Sequence, residues 1–123
     1  MNLYHRAEAT IRGLLQVLQG HPSYARSSFV EVWAAGDQSI SRRLGVMRQL
    51  AQLLTSLSQD VVRHQSEATA ISETHALAVI SAIDAYLFRV IYKEGAANLT
   101  AHVETCAQLA TGFLKAEMSR LKD

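Results

Sequence analysis

Very little in this chain can stop a helix. One proline and six glycines stand among 123 residues. Between them the apolar side chains recur at steps of three and four, the period of one helix face, and no stretch alternates convincingly at a period of two. A chain patterned in this way buries its stripes only by packing helices on one another, and its length suffices for a single core. The spacing predicts one all-α domain of five helices over residues 1–123.

The punctuation sets the boundaries. A first helix is expected from about Leu3 to Gln19, capped by Asn2, with Leu3, Ala7, Ile11, Leu14, Leu15 and Leu18 on one face. Gly20 suits a left-handed stop, and Pro22 fits the first turn of a second helix that ends at Ala35 before Gly36. Phe29, Val32 and the chain's one tryptophan, Trp33, form the apolar face of that short helix. With Asp37 as cap, a long third helix runs from about Gln38 to His64. Ile40, Leu44, Met47, Ala51, Leu54 and Val61 make its seam, and Ser58 is the one lapse. Gln65 to Ser72 lacks periodicity and reads as a connection. Ser72 then caps a fourth helix, Glu73 to Glu94, closed by Gly95. It carries two stripes: Ala76, Ile80, Ile83, Leu87 and Val90 on one side, and Ala78, Ala82 and Ala85 on another. A helix apolar on two sides is expected to be covered on both. Asn98 caps a fifth helix from about Leu99 to Arg120, striped by Val103, Ala107, Ala110 and Leu114 and broadened by Cys106, Leu109 and Phe113. Gly112 weakens its interior by about 1 kcal/mol relative to alanine, which points to a packing reason for the glycine.

Composition narrows the function. Charged residues are 19% of the chain, below the ~25% of an average globular protein, so some of the surface is expected to lie under a partner subunit, a further domain or a membrane. A membrane span is disfavoured, because the longest apolar stretch, Ala76 to Tyr92, is broken by Asp84 and Arg89 and falls short of ~20 residues. "MNLYHRAEAT" lacks a signal-peptide pattern, so a cytoplasmic location is expected. The single cysteine, Cys106, excludes an internal disulfide framework. A net charge of +1, with no cationic cluster larger than Arg42-Arg43, argues against a nucleic-acid surface.

Few residues suggest chemistry. No Glu-x-x-His, His-Glu-x-x-His, glycine-rich phosphate loop or nucleophile elbow is present, and nothing argues for an enzyme or a cofactor. His102 and Cys106 lie one helical turn apart, but two ligands do not make a zinc site, so no metal is expected. Phe29, Trp33 and Met47 read either as core or as the wall of an apolar ligand pocket. Asp84 stands mid-helix among Ile80, Ile83, Leu87 and Phe88. A buried carboxylate there needs a partner, across a dimer or from an arginine such as Arg26, or else a cationic or hydroxylated ligand.

"HPSYARSSFVEVWAAG", followed by Arg42-Arg43 inside a long helix, resembles the regulatory half of a TetR-type transcriptional regulator. So does "ALAVISAIDAYLFRVIYKEGAANLTAHVETCAQLATGFL", from Ala76 to Leu114. The likeness covers almost the whole chain through degenerate patterns of residue type. It implies a homodimer in which the last two helices pair with their copies as a four-helix bundle, with Ala78, Ala82, Ala85, Tyr92, Cys106, Ala110, Gly112 and Phe113 as candidate interface residues. It also implies a pocket for a small apolar effector among the first four helices, with Phe29, Trp33, Met47 and Asp84 as candidate lining. Such regulators begin with roughly fifty residues of DNA-binding helix-turn-helix domain, the scale of a small domain, and this sequence contains none. Helix–Gly-His-Pro–helix near the start is superficially similar to that motif, but its second helix offers Arg26 alone as a cation. The chain is expected to reach DNA only through a domain outside these residues. The competing expectation is a helical interaction module with no pocket, and a pocket of several hundred Å³ would separate the two.

Overall fold

The computed structural model describes the backbone over residues 3–64 and 71–122, and side chains over residues 4–60 and 71–112. Every regular element among the described residues is helical: α1 (Leu3–Gly20), α2 (Pro22–Phe29), α3 (Asp37–His64), α4 (Glu73–Glu94) and α5 (Val103–Lys122), with short 3-10 turns at Glu31–Ala34 and Leu99–His102. The expected Asn2 cap, the seam position Val61 and most of the Gln65–Ser72 connection lie outside the described side chains.

α4 is the element around which the rest is arranged. Both of its expected ends are found. Ser72 Oγ accepts from the His75 backbone N–H at 3.1 Å, and Gly95 terminates the helix with φ +79°, a conformation that favours glycine. α2, α3 and α5 all pack on α4, while α1 packs mainly on α5 and the turn that precedes it. By length and composition α4 is also apolar enough to cross a membrane, and 33% of that window is buried within the fold.

Three expectations are corrected. α1 runs through Gly20 without a left-handed residue; His21 leaves the helix instead, its Nδ1 donating to the Val17 carbonyl at 2.9 Å. The second helix is shorter than its pattern predicts. It ends at Phe29, passes into the 3-10 turn and closes at Gly36, φ +101°. Trp33 explains the change. Its indole N–H donates 3.1 Å to the Phe29 carbonyl, satisfying an acceptor that the ending helix leaves open. The residue is 36% exposed, so this tryptophan serves as a terminator more than as core. Asn98 makes no side-chain cap for the last helix. The 3-10 turn before it is capped from α1 instead, Gln19 Oε1 accepting from both the N–H and the hydroxyl of Thr100 at 3.0 Å.

Ser58, the lapse in the α3 seam, is buried and functional in the fold. Its hydroxyl donates to the Thr55 carbonyl at 2.8 Å and accepts from the buried Ile71 N–H at 3.1 Å. A polar residue on an apolar seam thus anchors the chain where it re-enters for α4.

Candidate ligand-binding cleft

Because α1 packs on α5 while α3 packs on α4, the space between α1 and α3 is incompletely filled. A cleft of about 120 Å³ lies there, lined by Ile11 and Leu14 of α1, Phe29 of α2, Arg43, Leu50, Leu53, Leu54 and Leu57 of α3, and Ile80, Ile83, Asp84 and Leu87 of α4, with Ala110 of α5 also contributing. Leu14 and Leu53, 41% and 59% exposed, stand where the cleft meets solvent. Its volume is below the several hundred Å³ expected for a drug-sized ligand and suits something smaller.

Thr10 of α1 also lines the cleft, its hydroxyl donating to the Arg6 carbonyl, and one charged feature interrupts the wall. Arg43 Nη2 forms an ion pair with Asp84 Oδ1, and the two side chains are 9% and 7% exposed. The guanidinium carbon lies 4.3 Å from the centroid of the Phe29 ring, in cation–π range. Burial pulls the Arg43 pKa down, opposed by the nearby Tyr24. With so high an ordinary value, the guanidinium keeps its charge. Apart from this ion pair, Asp84 Oδ1 has no hydrogen-bond donor and Arg43 Nε no acceptor among the described residues.

The sequence-derived candidates therefore divide. Phe29 and Asp84 line the cleft; Trp33 and Met47 do not. Met47 is buried and Trp33 terminates α2. Asp84 pairs with Arg43 in its own chain, where Arg26 or a dimer partner was expected. Arg43 was missed as a site residue, yet a signal existed. It follows Ile40 by three and precedes Met47 by four, which places it on the α3 seam.

The interface candidates divide as well. Ala78, Ala82, Ala85 and Gly112 are exposed on α4 and α5. Among the described residues nothing lies within 4 Å of a Cβ built on Gly112, so they give the glycine no packing reason. Tyr92 is 59% exposed and stacks on Phe88 at 6.0 Å with the rings nearly parallel. Cys106 and Ala110, at 0% and 4% exposure, are enclosed in the protomer's own core and cannot meet a partner. The Phe113 side chain lies outside those described. The expectation that α4 is covered on both sides is thus unmet among the described residues.

His102 is engaged elsewhere. Its Nδ1 lies 2.6 Å from the Tyr86 hydroxyl, and its Nε2 lies 3.5 Å from Glu94 Oε2. These contacts tie the 3-10 turn before α5 back to α4. No group of three or more metal-ligating side chains occurs among the described residues.

No family model, no curated protein and no solved structure matches this chain.

Proposed function

We propose that this chain is the effector-binding and dimerisation domain of a TetR-like transcriptional regulator, taking a small apolar molecule into the cleft between α1, α3 and α4. The observation that carries the reading is the cleft itself: an apolar wall interrupted by one buried ion pair, the composition of ligand sites generally. At about 120 Å³ the cleft is smaller than the several hundred Å³ that would separate an effector domain from a purely structural bundle, so its apolar lining and not its size supports the reading. The regulatory role rests on the sequence resemblance. In such a regulator the effector binds one relative arrangement of two subunits more tightly, and that difference in affinity shifts the position of the attached DNA-reading heads.

Pairing of subunits is supported by the outer faces of α4 and α5. Ala78, Ala82 and Ala85 form an exposed stripe of small residues, and exposed Leu77, Tyr92 and Leu109 add apolar area beside it. Native mass spectrometry of the whole chain tests both halves of the proposal. A dimer carrying a retained small molecule is expected. Ala82→Glu should convert the dimer to monomer while far-UV circular dichroism is unchanged, since a single exposed substitution costs within about 0.5 kcal/mol of fold stability. A wild-type chain that is monomeric at micromolar concentration and binds nothing apolar would overturn the assignment.

A further inference from the structure

The polar groups on the cleft wall are already engaged. Arg43 and Asp84 pair with each other, and Arg43 Nε and Asp84 Oδ1 are closed to water. Thr10 stands exposed at the rim, its hydroxyl donating to the Arg6 carbonyl at 3.0 Å. The rest of the wall is the hydrocarbon of leucine, isoleucine, alanine and Phe29. A ligand atom that hydrogen-bonds to water outside would find no partner inside, and burying such a group unpaired is costly. The enclosed part of a ligand is therefore hydrocarbon alone.

The course of the helices gives the space its shape. Arg6, near the start of α1, lies 3.4 Å from Asp60, near the end of α3, so the two helices run in opposite directions past the cleft. α1 lines it from Ala7 to Leu14, and α3 from Leu57 back to Leu50. Each stretch is two helical turns, a rise of about 10 Å. α4 adds a stretch of the same length, Ile80 to Leu87. An apolar cavity that takes up benzene holds about 150 Å³. Here a smaller volume, about 120 Å³, is drawn out along two turns. Such a slot is long and thin, the shape of a chain of methylenes and not of a ring.

We infer that the ligand is an unbranched alkyl chain, inserted tail first, whose polar end stays in water at the mouth beside Leu14 and Leu53. This rests on the reading of the cleft as the effector site, and the test separates the two. The whole chain is titrated by NMR with 1-butanol, 1-hexanol and 1-octanol, and with three more eight-carbon probes: octanoate, 1,8-octanediol and 2-cyclohexylethanol. Affinity is expected to rise about fourfold per methylene from butanol to octanol, the worth of each buried CH2 group. Octanoate, whose charge remains in water, should bind within about fivefold of 1-octanol. The diol must bring a hydroxyl inside and the ring must force the walls apart, so each should bind at least about tenfold more weakly than 1-octanol. Thr10→Trp, at an exposed position on the rim, should weaken 1-octanol by about tenfold while circular dichroism is unchanged.

Equal binding of 2-cyclohexylethanol and 1-octanol would overturn the chain-like ligand and leave the apolar site standing. A flat chain-length series would do the same. Equal binding of the diol, or a gap between octanol and octanoate beyond fivefold, would put a polar group inside and overturn the tail-first placement. Unchanged octanol binding in a folded Thr10→Trp variant would put the chain elsewhere on the protein and overturn the inference. Binding of none of the six probes would overturn the effector site itself. The wild-type series decides among its outcomes whether or not the variant folds.

Discussion

The two halves of α4 lie in differently built surroundings. Toward its C-terminus, Leu87, Val90 and Ile91 join Leu15, Leu18, Phe29, Leu99, Val103 and Cys106 in a cluster of mostly large, enclosed side chains. Toward its N-terminus, Ala76 and Val79 meet Ala51, Leu54, Ile71 and Ala110, where half of the buried positions are alanine. Ile11 and Ile83 pack against both clusters. The helices are of one kind throughout, so the difference lies in side-chain volume at facing positions. Among the described residues, large side chains dominate the first cluster and small ones make up half of the second. The cleft touches both: Leu54 and Ala110 of the alanine-rich cluster line it, and so do Phe29 and Leu87 of the other.

Asp84 sits where the halves meet, and removing it should have the largest effect. Asp84→Ala strands the buried Arg43 guanidinium, so stability should fall by about 3–5 kcal/mol. The Arg43→Met/Asp84→Leu pair, which replaces both charges with hydrocarbon, should stay within about 1–2 kcal/mol of wild type or exceed it. Urea denaturation of the three proteins gives the numbers. If the double variant loses as much as the single one, the ion pair is holding the fold together and its placement on the cleft wall is incidental.

The contrast between dense and open packing sharpens with truncations. Ile91, 1% exposed in the dense cluster, should cost about 2–5 kcal/mol on mutation to alanine, the range for large-to-small changes in a core that cannot collapse. Leu53, 59% exposed at the cleft mouth, should cost within about 0.5 kcal/mol. Comparable losses at the two sites, again by urea denaturation, would mean that the cleft is closed in solution.

What could be read from the sequence follows from how local each determinant is. α4 is found residue for residue because Ser72 and Gly95 act within one turn of the ends they define. The end of α1 was misplaced because Gly20 permits a left-handed stop without requiring one, and His21 supplied another exit. The side-chain cap of the 3-10 turn before α5 comes from Gln19, 81 residues away, and no local pattern announces such a partner. The same holds for the cleft. Phe29 and Asp84 stood out as an aromatic on a helix face and a carboxylate among hydrocarbons. The choice of Arg43 over Arg26 depends on how α3 lies across α4, which periodicity does not specify. Trp33 misled because a rare, large aromatic suggests a pocket, whereas its indole N–H answers a backbone carbonyl four residues back.

The smallest expected effect concerns Cys106, which reports whether the dense half is sealed. Burial raises its thiol from the ordinary 9.0 to about 11, and the side chain is wholly enclosed. In the folded protein near pH 8 the thiol is neutral and shielded, so Ellman's reagent should release no chromophore until denaturant unfolds the chain. The stability consequence follows from linkage. The folded thiol holds its proton to higher pH than the unfolded one, so the unfolded chain ionises first as pH rises. The stabilisation tied to this group is therefore complete below pH 9.0 and is lost as pH climbs from there to about 11. Other groups titrate in the same range, so the quantity to follow is the difference in urea midpoint between wild type and Cys106→Ala. That difference should be flat near neutrality and move against wild type through the alkaline window. Rapid modification of the native protein at pH 8, together with a flat alkaline difference, would show that water reaches Cys106 and that the half of α4 described as closed opens as readily as the other.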